Sequence, residues 1–265
     1  MHLNIPVLAR SLVVLLFLGL AGGPRSAQGE TLGCTAITTV PFTIPASGIY
    51  CLTGDLATNL PSGVAITIAA NNVVLDLNGH KLGNLAAGTG TLAIGISAEN
   101  RKDLTIRNGT VQGFEHGIFL TDTSADSTTS QGHVIENLRL DRNTVTGIFV
   151  AGRGSLIRNN QVVATGGATA LGPNVSAFGI EVLGPENRVL DNAVIHTFGT
   201  GTGISRGITF SSDPDGLAVN NRITQAQVGI FYVDPSTGKF RDNLTSGVTN
   251  PFLHPTTVID AGGNN

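Results

Sequence analysis

The stretch LTIRNGTVQGFEHGIFL, Leu104–Leu120, decides the fold, because both of its halves come back along the chain. The second half returns as GIS at Gly95, GIFV at Gly147, GIEV at Gly179, GITF at Gly207 and GIFY at Gly229. The first half returns as HVIENLRL from His133, SLIRNNQV from Ser155, RVLDNAVI from Arg188 and LAVNNRIT from Leu217, with a worn copy, FRDNLTS, from Phe240. The asparagines in these copies, Asn108, Asn137, Asn159, Asn192, Asn221 and Asn243, lie 29, 22, 33, 29 and 22 residues apart. A floor of 22 with larger values above it describes fixed strands joined by one loop that grows.

Each repeat reads as three short strands: Gly-Ile-x-apolar, an alternating run ending at the asparagine, and a brief apolar stub. Alternation sends Ile118, Leu120, Ile106 and Val111 to one side and their neighbours to the other. Such strands coil, each stacking on its counterpart about 4.8 Å above. The expected fold is all-β, a right-handed parallel β-helix of about eight three-strand coils, with the asparagines bonded in an internal ladder. The boundaries are a leader over 1–29, a cap and first coil over 30–70, the helix over 71–253 and a tail over 254–265. VVLDLNGHKL, Val73–Leu82, aligns as one rung: Leu75 with Leu104, Leu77 with Ile106 and Leu82 with Val111. That alignment turns Asp76 and Asn78 outward as surface residues.

Composition agrees. Thirty-five glycines, no tryptophan and 12% charged residues suit short strands and tight turns. Arg10, the apolar stretch SLVVLLFLGLAG and the small residues Ala27 and Gly29 have the layout of a secretory signal, and no later segment is apolar enough to span a bilayer. Once the two arginines of that leader are removed, 13 Lys+Arg face 18 Asp+Glu, too acidic a balance to grip nucleic acid. The expected location is secreted or periplasmic, where Cys34 and Cys51 would pair and staple the first turn.

The Gly-Ile and Asn motifs resemble the repeats of secreted β-helix proteins of the pectate-lyase-like superfamily, over about residues 34–252. The opening PFTIPASGIYCLTGDL and AITIAANNVVLDLNGHKL resemble the first coils of bacterial members, most of them without an assigned function. The resemblance implies that a ligand lies along the outer face of the first sheet. That face would present Ser97, Phe119, Phe149, Glu181, Thr209 and Phe231, with Phe119, Phe149, Thr209 and Phe231 as substrate-binding residues. It also implies, for a polyuronate lyase, carboxylates holding Ca²⁺ beside a basic residue. Glu181 with the loop residues Asp213 and Asp215 is the candidate Ca²⁺ set; Asp122, Asp126 and Asp234 are further loop carboxylates. Arg153 or Arg206 could neutralise a uronate, and His116 is a candidate acid/base. SSDPDG also reads as an ordinary turn, and His116 as a corner residue. No other cofactor is implied.

Two functions compete. The first is an exported, non-catalytic protein that binds polysaccharide or an envelope component along its first sheet. The second is a lyase or epimerase acting on an acidic glycan through Glu181, Asp213, Asp215 and Arg153. The thin supply of carboxylates and the exposed phenylalanines favour the first. The insertion over 164–177 is expected to cover Phe149.

Overall fold

The computed structural model describes residues 33–125 and 127–265. The expected leader and Asp126 lie outside them. Strands stack in parallel into three columns that wind as a right-handed parallel β-helix. The first column runs through Phe42–Ile44, Ser62–Ile68, Leu92–Glu99, His116–Thr121, Thr146–Ala151, Ala177–Leu183 and Ser205–Ser211, then through the ends of Arg222–Val233 and Leu244–Leu253. Complete coils extend from residue 42 to residue 248, eight in number. The only helical stretch among the described residues is a short 3-10 turn, Leu85–Gly90. The residues expected as a tail belong to a partial ninth coil, in which Val258–Asp260 pairs with Gly238–Phe240.

The interior is one apolar column in which Ile66, Ile96, Ile118, Ile148, Ile180, Ile208 and Ile230 follow each other in register. Burying each such side chain contributes about 2 kcal/mol. From Ile96 onward the residue before each isoleucine is a glycine, for a steric cause. A Cβ on Gly95, Gly117, Gly147, Gly179 or Gly207 would sit 2.5–2.7 Å from the carbonyl oxygen of the glycine one coil on. A methyl group there would push the coils apart.

The ladder exists, one residue away from where the spacing puts it in the earlier coils. Asn108, Asn137 and Asn159 adopt left-handed φ values of 58°, 55° and 55° at the corner, and Asp191, Asn220 and Asp242 occupy the same place above them. Asparagine and aspartate tolerate that region better than other residues with a Cβ. The ladder is the next column: Asn160, Asn192, Asn221, Asn243 and Asn264, each side-chain amide donating to the next Oδ1 at 3.0–3.1 Å. Below Asn160 it stops, and Leu138, Gly109 and Leu77 fill the corner.

VVLDLNGHKL is a rung, but its register differs from the expected one. Leu75 pairs with Ile106 and Leu82 with Val111, so Leu77–His80 crowd a corner that the next coil turns with Asn108 and Gly109 alone. A Cβ on Gly109 would lie 2.6 Å from the His80 carbonyl oxygen. Asp76 keeps the outer face, at the place of Arg107 and Glu136 in the following coils, but is covered there. It is 1% exposed and accepts from Arg107 Nε at 2.9 Å and from the Asn78 amide at 2.8 Å. Cys34 and Cys51 form a disulfide that ties the segment before Thr35–Ile37 to the strand Gly48–Leu52 with which it pairs.

Candidate functional site

Pairing fixes which first-column residues share the outer face. Ser97, Phe119, Phe149, Glu181, Thr209 and Phe231 stand in one file, as expected from the alternation. A second file runs beside it, formed by the residue before each glycine: His116, Thr146, Phe178, Arg206 and Val228. Strict alternation hides this file, because Gly117 and its equivalents turn toward the neighbouring coil and leave the preceding side chain outside.

The two files make one surface. His116 stacks on Phe119 with centroids 4.6 Å apart, and Phe119 stacks on Phe149 at 4.9 Å. Two coils on, the Arg206 guanidinium lies over the rings of Phe178 and Phe231, at 5.1 and 5.5 Å. It is attracted by the negative faces of both. Thr209, on the strand of Arg206, is 2% exposed, and its hydroxyl has no hydrogen-bond partner. Arg206 Nε and His116 Nδ1 are likewise buried without partners.

Electrostatics set this patch apart. Burial raises the Glu181 carboxyl above the usual range, and the Arg206 charge offsets only part of that. Burial lowers Arg206 in the same way, with Glu181 opposing. The two sense each other without forming an ion pair. Glu115 is raised by burial, and His116 is pushed down to about 4 by burial, which keeps the ring neutral. The face thus offers two phenyl platforms, a neutral imidazole, a carboxyl leaning toward its acid form and one guanidinium.

The loop residues do not join it. Asp213 turns into the end of the coil, 0% exposed, where its carboxyl meets no hydrogen-bond partner of good geometry and burial pushes it up to about 8. Asp215 lies exposed on the turn at φ 64°, so DPDG is a turn first. Glu181, Asp213 and Asp215 therefore do not converge. Among the described residues no three His, Cys, Asp or Glu side chains come together to hold a metal ion. Arg153 sits at the exit rim, paired with Glu186 at 3.0 Å. The insertion over 164–177 folds Ala168 and Val175 onto Val145, and Thr169 reaches Thr89. Phe149 stays half-buried on its stack.

Ser130, His133 and Asp122 gather near the first-column exit, but not as a nucleophile triad. The Leu104 amide donates to His133 Nδ1 at 3.4 Å, so the ring proton is on Nε2 and points to Ser130 Oγ at 2.8 Å. Asp122 accepts from the Ser130 amide at 2.6 Å. His133 therefore cannot draw a proton from Ser130, and both side chains are buried. Glu115 and Phe178 were not legible as site residues; the repeated position before each Gly-Ile is the signal that finds Phe178, His116 and Arg206 together.

Known proteins place the chain at the level of fold. The enzymatically active domain of tailspike protein 2 from bacteriophage CBA120 superposes with a TM-score of 0.51 at 15% identity, covering 79% of this chain and 38% of that domain. Endopolygalacturonase I from Stereum purpureum, solved with two galacturonates, superposes with a TM-score of 0.50 at 18% identity, covering 84% of this chain and 70% of the enzyme. The chain thus spans well under two thirds of the tailspike domain's length. No curated protein matches it. The family described as right handed beta helix region matches residues 125–262, more than half of the sequence, and the chain belongs to that family.

Proposed function

We propose that this protein binds polysaccharide along the outer face of its first column without catalysing a reaction. The observation that carries this is the continuous strip from His116 through Phe119 and Phe149 to Glu181, Arg206 and Phe231. Stacked phenyl rings receive the apolar faces of sugars, and the Glu181 carboxyl and Arg206 guanidinium between them take hydroxyls. The tailspike domain and the polygalacturonase share the fold, and the latter was solved with two galacturonates. The Cys34–Cys51 disulfide and the expected leader support an extracellular or periplasmic setting.

The test is retention on immobilised polysaccharides, comparing the protein with Phe149→Ala. The variant should bind about tenfold more weakly, the loss of one well-packed aromatic contact, at an unchanged melting temperature. Equal retention of both proteins overturns the proposal.

One observation favours a second reading, lyase or epimerase chemistry on a uronate: Glu181 and Arg206 perturb each other's protonation inside the strip. Abstraction of a sugar proton needs a base, yet burial holds Glu181 toward its acid form, which is why binding is placed first. Ultraviolet-absorbing unsaturated product released by the protein and lost in Glu181→Gln, with or without added Ca²⁺, would reverse that order.

A further inference from the structure

Charge on the binding strip is sparse and local. Across all strands of the first column the Asp, Glu, Lys and Arg residues are Glu99 at a lower edge, Glu181 and Arg206. His116 remains neutral in its stack on Phe119. Arg206 is the one cation, and it is held rather than free. Phe178 and Phe231 hold its guanidinium against their ring faces, and its Nε has no partner. The neighbouring Glu181 leans toward its acid form and forms no ion pair with it. A guanidinium held between two rings and in no ion pair, beside a carboxyl that burial raises, makes a receptor for one anionic group.

On either side the strip changes character. The coils of Phe119 and Phe149 present rings 4.9 Å apart, and beyond Arg206 come Phe231 and Leu253. None of these can compensate a carboxylate. A polymer charged at every sugar would lay its carboxylates against phenyl faces and desolvate them without a partner, which is costly.

Resting on the binding reading above, we infer that the ligand is a heteropolysaccharide with isolated anionic groups, one seated at Arg206 between uncharged sugars that lie on Phe149 and Phe231. A fully charged homopolyuronate is the wrong partner for this face.

The experiment is a polysaccharide microarray spanning neutral, sparsely charged and fully charged polymers, probed with the protein and with Arg206→Gln. Arg206→Lys serves as the charge-preserving control, and melting curves verify that the variants fold. The polymer bound best is then carboxyl-reduced and measured again. The expected result is strongest binding to sparsely charged polymers, with about a tenfold loss in Arg206→Gln, the scale of one charge-assisted contact. On the carboxyl-reduced polymer the protein and Arg206→Gln should bind alike. Preference for fully charged polymers, or an Arg206→Gln loss of equal size on the reduced polymer, overturns the inference while leaving polysaccharide binding standing. Binding to no polymer at all removes both.

Discussion

The two halves of the coil fill the same corner in different ways. From Asn160 to Asn264 it is filled by amides: Asn192 donates to Ile157 O at 3.0 Å and to Asn221 Oδ1 at 3.1 Å, and accepts from the Asn160 backbone at 3.0 Å. From Leu77 to Leu138 it is filled by aliphatic carbon and by the space that Gly109 leaves, and backbone groups satisfy each other directly, Gly79 N to Asn108 O at 2.7 Å and Thr110 N to His80 O at 3.0 Å. The cores diverge as well. Phe210 and Tyr232 stack at 4.4 Å in the later coils, with Phe240 against Phe252 at 5.3 Å, where the middle coils place Leu120 and Val150 in the Phe210 file and Ile106 and Ile135 in the Phe240 file. The fold thus demands that the corner be full and its polar groups paired; it does not demand asparagine.

The sharpest way to break this comparison is Asn192→Ala. It strips partners from the Ile157 carbonyl and the Asn160 amide, both buried, and should cost on the order of 4 kcal/mol in denaturant unfolding. A loss under about 1 kcal/mol would make the ladder ornamental. Next comes a change that should not distinguish the halves. Gly117→Ala and Gly207→Ala each drive a methyl toward the carbonyl of the following coil, and each should cost about 3 kcal/mol. Unequal costs would show that one half relaxes more easily.

Acid and base should separate the halves in opposite directions. The early coils bury His133, pushed down to about 4 from 6.5, and protonation would set an N–H against the Leu104 amide. Its contribution is present above pH 6.5 and is lost as pH falls toward 4. The later coils bury Asp213, pushed up from 3.8 to about 8, so there stability is fullest below pH 3.8 and declines as pH rises toward 8. Urea midpoints measured against pH should lose the alkaline decline in Asp213→Asn and part of the acid decline in His133→Asn. Retention of both slopes in both variants would refute the assignment. The smallest effect is expected from Leu138→Asn, which extends the ladder downward by one rung. The Leu138 amide already donates to Asn160 Oδ1 at 3.1 Å, so the change should stay within about 1 kcal/mol.

Repeat spacing and apolar alternation made the coil, its count and the Ser97–Phe231 file legible, because burial imposes them on every turn. The ladder was displaced because asparagine serves two adjacent purposes, a left-handed corner at Asn159 and an internal rung at Asn160, and a doublet does not say which is which. The burial of Asp76 was not legible, because two extra residues in one corner shift its register by two, which keeps its face but sets it under Arg107. Asp213 reads as part of a turn, and the inward turn of its carboxyl beside Gly216 is a tertiary feature that no spacing encodes.

The glycine–carbonyl contacts sit one residue away from the exposed files and hold the pitch whatever those files contain. The outer face therefore behaves like a page of movable type: its letters can be exchanged while the line spacing stays put. A lineage built on this frame could present a different outer face through a few surface substitutions, with no new backbone to invent.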